Sequence, residues 1–288
     1  MAETKNTKGT GLTKRVRRQV DTLMSEEEDA KILVSQVLAL CPLPFRKPKT
    51  TIVERRTQSG LNESVLVTFS ATKKRVGLPY GNDAVLLDLL CSEARRQKTR
   101  EMTFDSASKV MELLGLDPNE GPLRRQTLDR LERLTHLIID VELPNGFGYK
   151  LRVIDARNLP SKKDLAKEKK GECPMIPYGV RFSEEFEHFM MPYLPIPERA
   201  IQACKGSPTE YAMMKRIFHR VLKAGVGSVI PWPSLLEECG SEDSNERRFR
   251  AKVGELLKKL KVAWPELHQA VTPSLKGLAV KRFQGTLD

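Results

Sequence analysis

Between Ser244 and Lys261 the sequence SNERRFRAKVGELLKKLK sets Arg247, Arg248, Arg250, Lys252, Lys258, Lys259 and Lys261 against two acids, Glu246 and Glu255. Guanidinium and ammonium groups at this density suit one kind of chemistry, charge-assisted hydrogen bonding to phosphate oxygens or base edges. At roughly 100° per residue a helix divides the stretch into two faces. Phe249, Val253, Leu256, Leu257 and Leu260 form an apolar stripe for core contact. Ala251 and Gly254 point the other way. Arg247, Arg250, Lys258 and Lys261 flank them on one shoulder, and Arg248, Lys252 and Lys259 on the other. Small residues at the centre would let the helix approach a partner closely. The plainer alternative is a solvated charged face, so the neighbouring elements must decide.

The other reactive residue types make no constellation. His136, His188, His219 and His268 are scattered, with no H-x-H, and Cys41, Cys91, Cys173, Cys204 and Cys239 contain no C-x-x-C. A zinc site needs four close ligands, so no metal is expected, and the thiols are expected to be reduced and several of them buried. There is no G-x-x-x-x-G-K-[ST] and no G-x-S-x-G. The expectation is no catalytic residue, no cofactor and no enzyme activity. His136, between a helix and a strand, is expected to be structural, and Trp232 and Trp264 to fill the core.

The whole chain agrees with an anionic partner. In 288 residues, 49 Lys and Arg stand against 37 Asp and Glu, a formal net charge of +12. Such an excess attracts nucleic acid, acidic proteins or anionic lipid. With 40% hydrophobic and 30% charged residues the composition is that of a soluble globular protein. The apolar run KILVSQVLAL (31–40) is broken by Ser35 and Gln36, and the N-terminus is basic without the apolar core of a signal peptide. No membrane partner and a cytoplasmic location are expected.

Along the chain, residues 1–24 read as a flexible basic tail. Residues 25–58 read as a helix and linker, the helix opened by an S-x-x-E capping box of Ser25 and Glu28. ESVLVTFS (63–70) alternates as a strand. Then come an amphipathic helix (82–98), extended REMTF, a helix (105–115) capped by Asp105, and a helix (118–134) with Pro122 in its first turn. A strand (136–143), a turn marked by Asn145-Gly146 and a returning strand (149–155) complete the unit. The charge run SKKDLAKEKKGECP (161–174) reads as a solvated linker. After it YGVRFS is a strand and SEEFEHFMM a short helix, and the first order then returns. A helix (207–225) capped by Ser207 leads to GSVI, a helix (231–240) and the basic helix. HQAVTP and LAVKRF follow as strands joined by SLKG.

Helix, short strand, helix, helix, strand, turn, strand thus occurs twice, which is winged-helix order. The third helix of that fold reads the major groove, and the hairpin wing touches backbone or minor groove. The expected fold is α+β and predominantly helical, with tandem winged-helix domains and short β-hairpin wings. The first domain is 59–157, the charged linker 158–177 and the second domain 178–288. Candidate DNA contacts are the seven basic residues of the third helix together with Lys276, Lys281 and Arg282 of the second wing. In the first copy Leu123, Thr127, Leu131 and Leu134 face inward, and Arg125, Gln126 and Arg133 are candidates amid the mixed charge of Asp129 and Glu132. That face suits DNA or a protein partner equally.

Several segments carry a family likeness. LPYGNDAVLLDLLCSEARRQKTREM (78–102), LRRQTLDRLERL (123–134), RFSEEFEHFM (181–190), PIPERAIQACKGSPTEYAMMKRIFHRV (195–221) and IPWPSLLEECG (230–240) appear in order. Together they resemble the RepA-type plasmid replication initiators over roughly residues 60–283. Ile217-Phe218-His219-Arg220 departs from the Tyr-Arg ending of that pattern. The resemblance implies a bacterial initiator that binds double-stranded DNA at origin repeats, helps open the duplex and recruits the host replication initiator and helicase machinery. It also implies exchange between a repressing homodimer and an initiating monomer. The rival reading is a winged-helix transcriptional repressor of plasmid or phage genes, and an enzymatic rival is a DNA nickase or primase.

Overall fold

The computed structural model describes residues 31–58, 64–143, 146–168, 176–190, 193–224, 227–239 and 245–281. The basic tail, the Ser25–Glu28 capping pair, Asn145, Lys169, Lys170, Cys173, Gly225, Gly240 and Arg282 lie outside the described residues.

The chain begins with β1 (Lys31–Ser35) and α1 (Gln36–Leu40), then β2 (Ile52–Gln58) and β3 (Ser64–Ala71). A first unit follows: α2 (Asp83–Arg96), β4 (Glu101–Phe104), α3 (Ala107–Leu113), α4 (Gly121–Thr135), β5 (Leu137–Glu142), β6 (Gly148–Arg152), β7 (Ile154–Asn158), α5 (Lys162–Glu168) and β8 (Tyr178–Phe182). Then come α6 (Glu184–Met190), β9 (Tyr193–Pro197) and α7 (Glu198–Cys204). The last unit is α8 (Pro208–Lys223), β10 (Ser228–Pro231), α9 (Trp232–Glu238), α10 (Glu246–Ala263), α11 (Pro265–Gln269), β11 (Val271–Pro273) and β12 (Gly277–Val280).

Among the described residues the four sheets are antiparallel, with strand orders β1-β9, β2-β3-β5-β6, β4-β8-β7 and β10-β12-β11. The chain is therefore mixed helix and sheet, with more sheet than the short hairpins expected. The longest strands, β2 and β3, pair from Ile52↔Ser70 to Gln58↔Ser64.

Several expectations change. The helix expected across 25–40 is a strand over Lys31–Ser35, because β1 pairs with β9 and the Leu33 amide donates to Ser92 Oγ. Sheet pairing and burial override the helical spacing of the apolar residues there. The returning strand expected over 149–155 ends at Arg152, and Ile154 starts β7 in another sheet. The charge run 161–174 falls in sequence between β7 and β8, which are neighbours in one sheet, and β8 also pairs with β4. A solvated hairpin connection and a solvated linker have the same composition, so only the strand pairing tells them apart.

The two units nevertheless share an arrangement. In each, the last strand lies between the first and the second: β4-β8-β7 and β10-β12-β11. Each central strand also has a glycine near its start. Gly179 faces Thr103 and Gly277 faces Pro231, and a Cβ on either would collide with the backbone of the adjoining strand, at Met102 or Ile230.

Helix ends follow local chemistry in part. Ser207 Oγ accepts from the Glu210 amide and Asn245 Oδ1 from the Arg248 amide. The 105–115 helix begins at Ala107 with Ser106 at its cap position, not Asp105. One apolar core runs through both units. The expected one-sided burial of α2 does not hold, because Leu87 and Asp88 are as buried as Val85 and Leu86. β1 covers it on one side, and α8 meets it through Lys215 Nζ and the Tyr211 hydroxyl, both donating to Asp88 Oδ2 at 2.7 and 2.8 Å.

Cys41, Cys91, Cys204 and Cys239 are free and buried. Burial pushes the Cys41, Cys204 and Cys239 thiols up to about 12 and Cys91 well above its usual range. At pH 8 these groups stay protonated, and thiols are poor nucleophiles. In the native protein at most one of the five cysteines is expected to react rapidly with a thiol-specific dye, and all five after unfolding in urea.

Candidate nucleic-acid interface

α10 buries Phe249, Val253, Leu256, Leu257, Leu260 and Ala263, the stripe read from the sequence and one residue more. Its outer face exposes Arg247, Arg248, Arg250, Ala251, Lys258 and Lys261. Nothing lies within 4 Å of where a Gly254 Cβ would be. Arg247, Arg248 and Lys261 join no ion pair among the described residues. Lys258 holds Glu255 at 2.8 Å along the surface, and Arg250 pairs with Glu246 one turn back. Exposed pairs of this kind cost little to exchange for a phosphate. Lys252 is half-buried.

Two candidates are already used inside the fold, and in the same way. Arg133 of α4 grips Asp83 in the first turn of α2, with Nε–Oδ2 at 2.6 Å and Nη2–Oδ1 at 3.0 Å. It lies over the Tyr80 ring at 4.6 Å, its side chain 14% exposed. Lys259 of α10 pairs with Glu210 in the first turn of α8. Each third helix is thus tied to its first helix by a basic side chain near its C-terminal end. Burial pushes the Asp83 carboxyl up, and Arg133 opposes it. An acid this buried needs its partner, so Arg133 is held inside the fold, and Lys259 is engaged by Glu210 in the corresponding place. Arg125 and Gln126 of α4 remain exposed, beside the exposed Asp129.

The β11–β12 turn is held against α9 and α10. Ser274 Oγ donates to the Gly277 carbonyl at 2.8 Å and accepts from the Gly277 amide at 3.2 Å. The Trp232 indole Nε1 donates to the Ser274 carbonyl at 3.0 Å, and the Arg250 guanidinium sits 5.4 Å from the Trp232 ring centre. Arg250, Trp232 and Ser274 therefore join the basic helix and the hairpin into one surface, with Leu275 90% exposed at the tip and Lys276 and Lys281 exposed beside it. The sequence places Trp232 only in the core. It is buried, yet it positions the turn; Pro231-Trp232 at the start of a helix was the available signal. Trp264 packs on Phe218 at 4.5 Å, as a core residue does.

Among the described residues no group of three His, Cys, Asp or Glu side chains is placed to hold a metal ion. Nor is any helix of the described residues long and apolar enough to cross a membrane.

These elements define a mixed helix-and-sheet protein with a repeated unit and a basic helix docked to a hairpin. No protein-family model matches the chain, and no curated protein matches it by sequence. Among solved structures, the selenomethionine form of domains 2 and 3 of RctB aligns with a TM-score of 0.53 and 11% identity, covering 88% of this chain and 100% of that one. A second structure of RctB domains 2–3 aligns with a TM-score of 0.51 and 12% identity, covering 83% and 84%. At these identities the likeness is one of fold.

Proposed function

We propose that the chain is a sequence-specific DNA-binding replication initiator of RepA type, built from two winged helices. The observation that carries this reading is the outward basic face of α10, joined to a hairpin through Arg250, Trp232 and Ser274. The fold likeness supports it, since RctB is a replication initiator, of Vibrio chromosome II. α10 enters the major groove, and Lys276 and Lys281 of the wing meet the backbone. In the first unit α4 is the third helix, offering Arg125 and Gln126, and the β7–β8 hairpin is the wing. That wing brings Lys163 and Lys167, both exposed, in place of the uncharged PNGFG turn.

No bond chemistry is required. Phosphate contacts set register and release counterions, a few base contacts choose the sequence, and several copies strain an A·T-rich segment. Binding of origin repeats, recruitment of the host initiator and helicase, and exchange between dimer and monomer belong to the same proposal. A footprint on the DNA flanking the coding sequence tests it. Protection of tandem direct repeats, with permanganate-reactive thymines appearing nearby, is the expected result. Protection of a single inverted repeat over a promoter, without opening, makes the chain a repressor instead. Metal-dependent nicking of supercoiled origin DNA would make it an enzyme.

Gly254 gives a second check. Alanine there fills open space and favours the helix by about 0.5–1 kcal/mol. Gly254→Ala is expected to raise the melting temperature and weaken DNA binding, because a methyl stands where the groove comes closest. A rise in both quantities would rule out close approach at this position.

A further inference from the structure

At the junction of α4 and β5, with no α10 residue in its lining, the surface holds a cleft of about 360 Å³. Thr72, Lys73, His136, Arg152 and Arg157 line it, with Asp155 at one side. Lys73, Arg152 and Arg157 are exposed, and none has an ion-pair partner among the described residues. Asp155 is engaged: Arg181 Nε donates to its Oδ1 at 2.8 Å, and Arg181 also faces Glu101 at 3.7 Å. The cleft therefore carries positive charge that the fold leaves unanswered.

His136 fixes the hydrogen-bond pattern. It is 7% exposed, and Arg157 Nη1 lies 2.8 Å from its Nε2. A guanidinium can only donate, so Nε2 accepts and the ring proton sits on Nδ1. Nδ1 then donates to Thr72 Oγ1 at 2.7 Å, which leaves the Thr72 hydroxyl proton free for a ligand. Burial, Arg157, Lys73 and Arg152 hold the imidazole below its usual range, and Glu132 opposes them. The ring is a neutral relay, and the charge comes from the three long side chains. Thr135 is not available. Its hydroxyl donates to the Glu132 carbonyl and accepts from Arg157.

We propose that this cleft binds a phosphate group, gripped by Lys73, Arg152 and Arg157 and receiving a hydrogen bond from the Thr72 hydroxyl. Three cations and one hydroxyl converging on one space suit a tetrahedral anion with several acceptor oxygens. The group can come from a DNA backbone outside the α10 footprint or from a small phosphorylated molecule.

Inorganic phosphate is the first probe, titrated against chloride at constant ionic strength while the His136 ring resonances are followed. A saturable shift is expected, with the His136 midpoint moving up as the anion binds. Arg152→Ala, which removes an exposed side chain with no ion-pair partner among the described residues, should weaken the response about tenfold, as loss of a charge-assisted hydrogen bond does. The source is then read from duplex binding at several salt concentrations. With a backbone phosphate in the cleft, Lys73→Ala/Arg152→Ala lowers the slope of log K against log salt by about 0.9 per phosphate lost. With a small molecule as the source, the slope stays put while the phosphate response disappears. No saturation in the native protein, or equal saturation in the variants, overturns the proposal. An α10 variant that fails to bind DNA should keep the phosphate response, so the two readings fail separately.

Discussion

Replacing Arg247, Arg248 and Arg250 together by alanine is expected to cost several kcal/mol of affinity for duplex DNA, at about 1–3 kcal/mol per good base contact. At the lower bound that is a loss above roughly a hundredfold. Contacts that go to phosphates should also flatten the salt dependence, by about 0.9 in the slope of log K against log salt for each one lost. Arg247 and Arg248 are exposed and in no ion pair among the described residues, so their removal should leave the fold intact. Arg250 differs, because it lies over Trp232, which holds the hairpin turn. Its single replacement is expected to loosen the turn as well and to raise hydrogen exchange around Ser274. Arg133→Ala and Lys259→Ala serve as counter-examples. Both residues are tied to a first helix, so urea midpoints should fall while the salt slope barely moves. Unchanged affinity and slope in the triple variant would remove α10 from the interface.

Asp88→Ala is expected to be the most destabilising single change at the contact between the units. Asp88 is fully buried, and Lys215 and Tyr211, both buried too, donate to it. Truncation leaves an ammonium group in the core without its counter-ion. Breaking such a pair costs about 3–5 kcal/mol, whereas replacing both ions by apolar groups of similar volume is often neutral. Urea unfolding of Asp88→Ala should show that loss. Asp88→Leu/Lys215→Met should recover most of it, leaving the Tyr211 hydroxyl as the residual cost. Equal destabilisation in the single and double variants would mean that packing volume, not charge, dominates this contact.

The helices over 82–98, 118–134, 207–225 and 244–261 were legible because each carries its own evidence. Apolar spacing marks the buried face, and Ser207 and Pro122 act within one turn of the ends they specify. The basic face of α10 was legible for the same reason. The strand at Lys31–Ser35 was not, since its partner β9 begins at Tyr193. Nor was the β7–β8 pairing, whose intervening charge run looks like any solvated linker.

Of the candidate contacts, seven basic residues on one helix were visible, but not which of them the fold had already engaged. Arg133 finds Asp83 across 50 residues and Lys259 finds Glu210 across 49. The sequence by itself determined the kind and order of most elements and the charge of the outward face of α10. These depend on side chains a few positions apart along one helix or strand. Only the tertiary structure decided which strands close each sheet, which cations are neutralised internally, and that Trp232 fastens the hairpin beside the basic helix. Those outcomes depend on groups brought together by burial of the common core, and no local spacing encodes them.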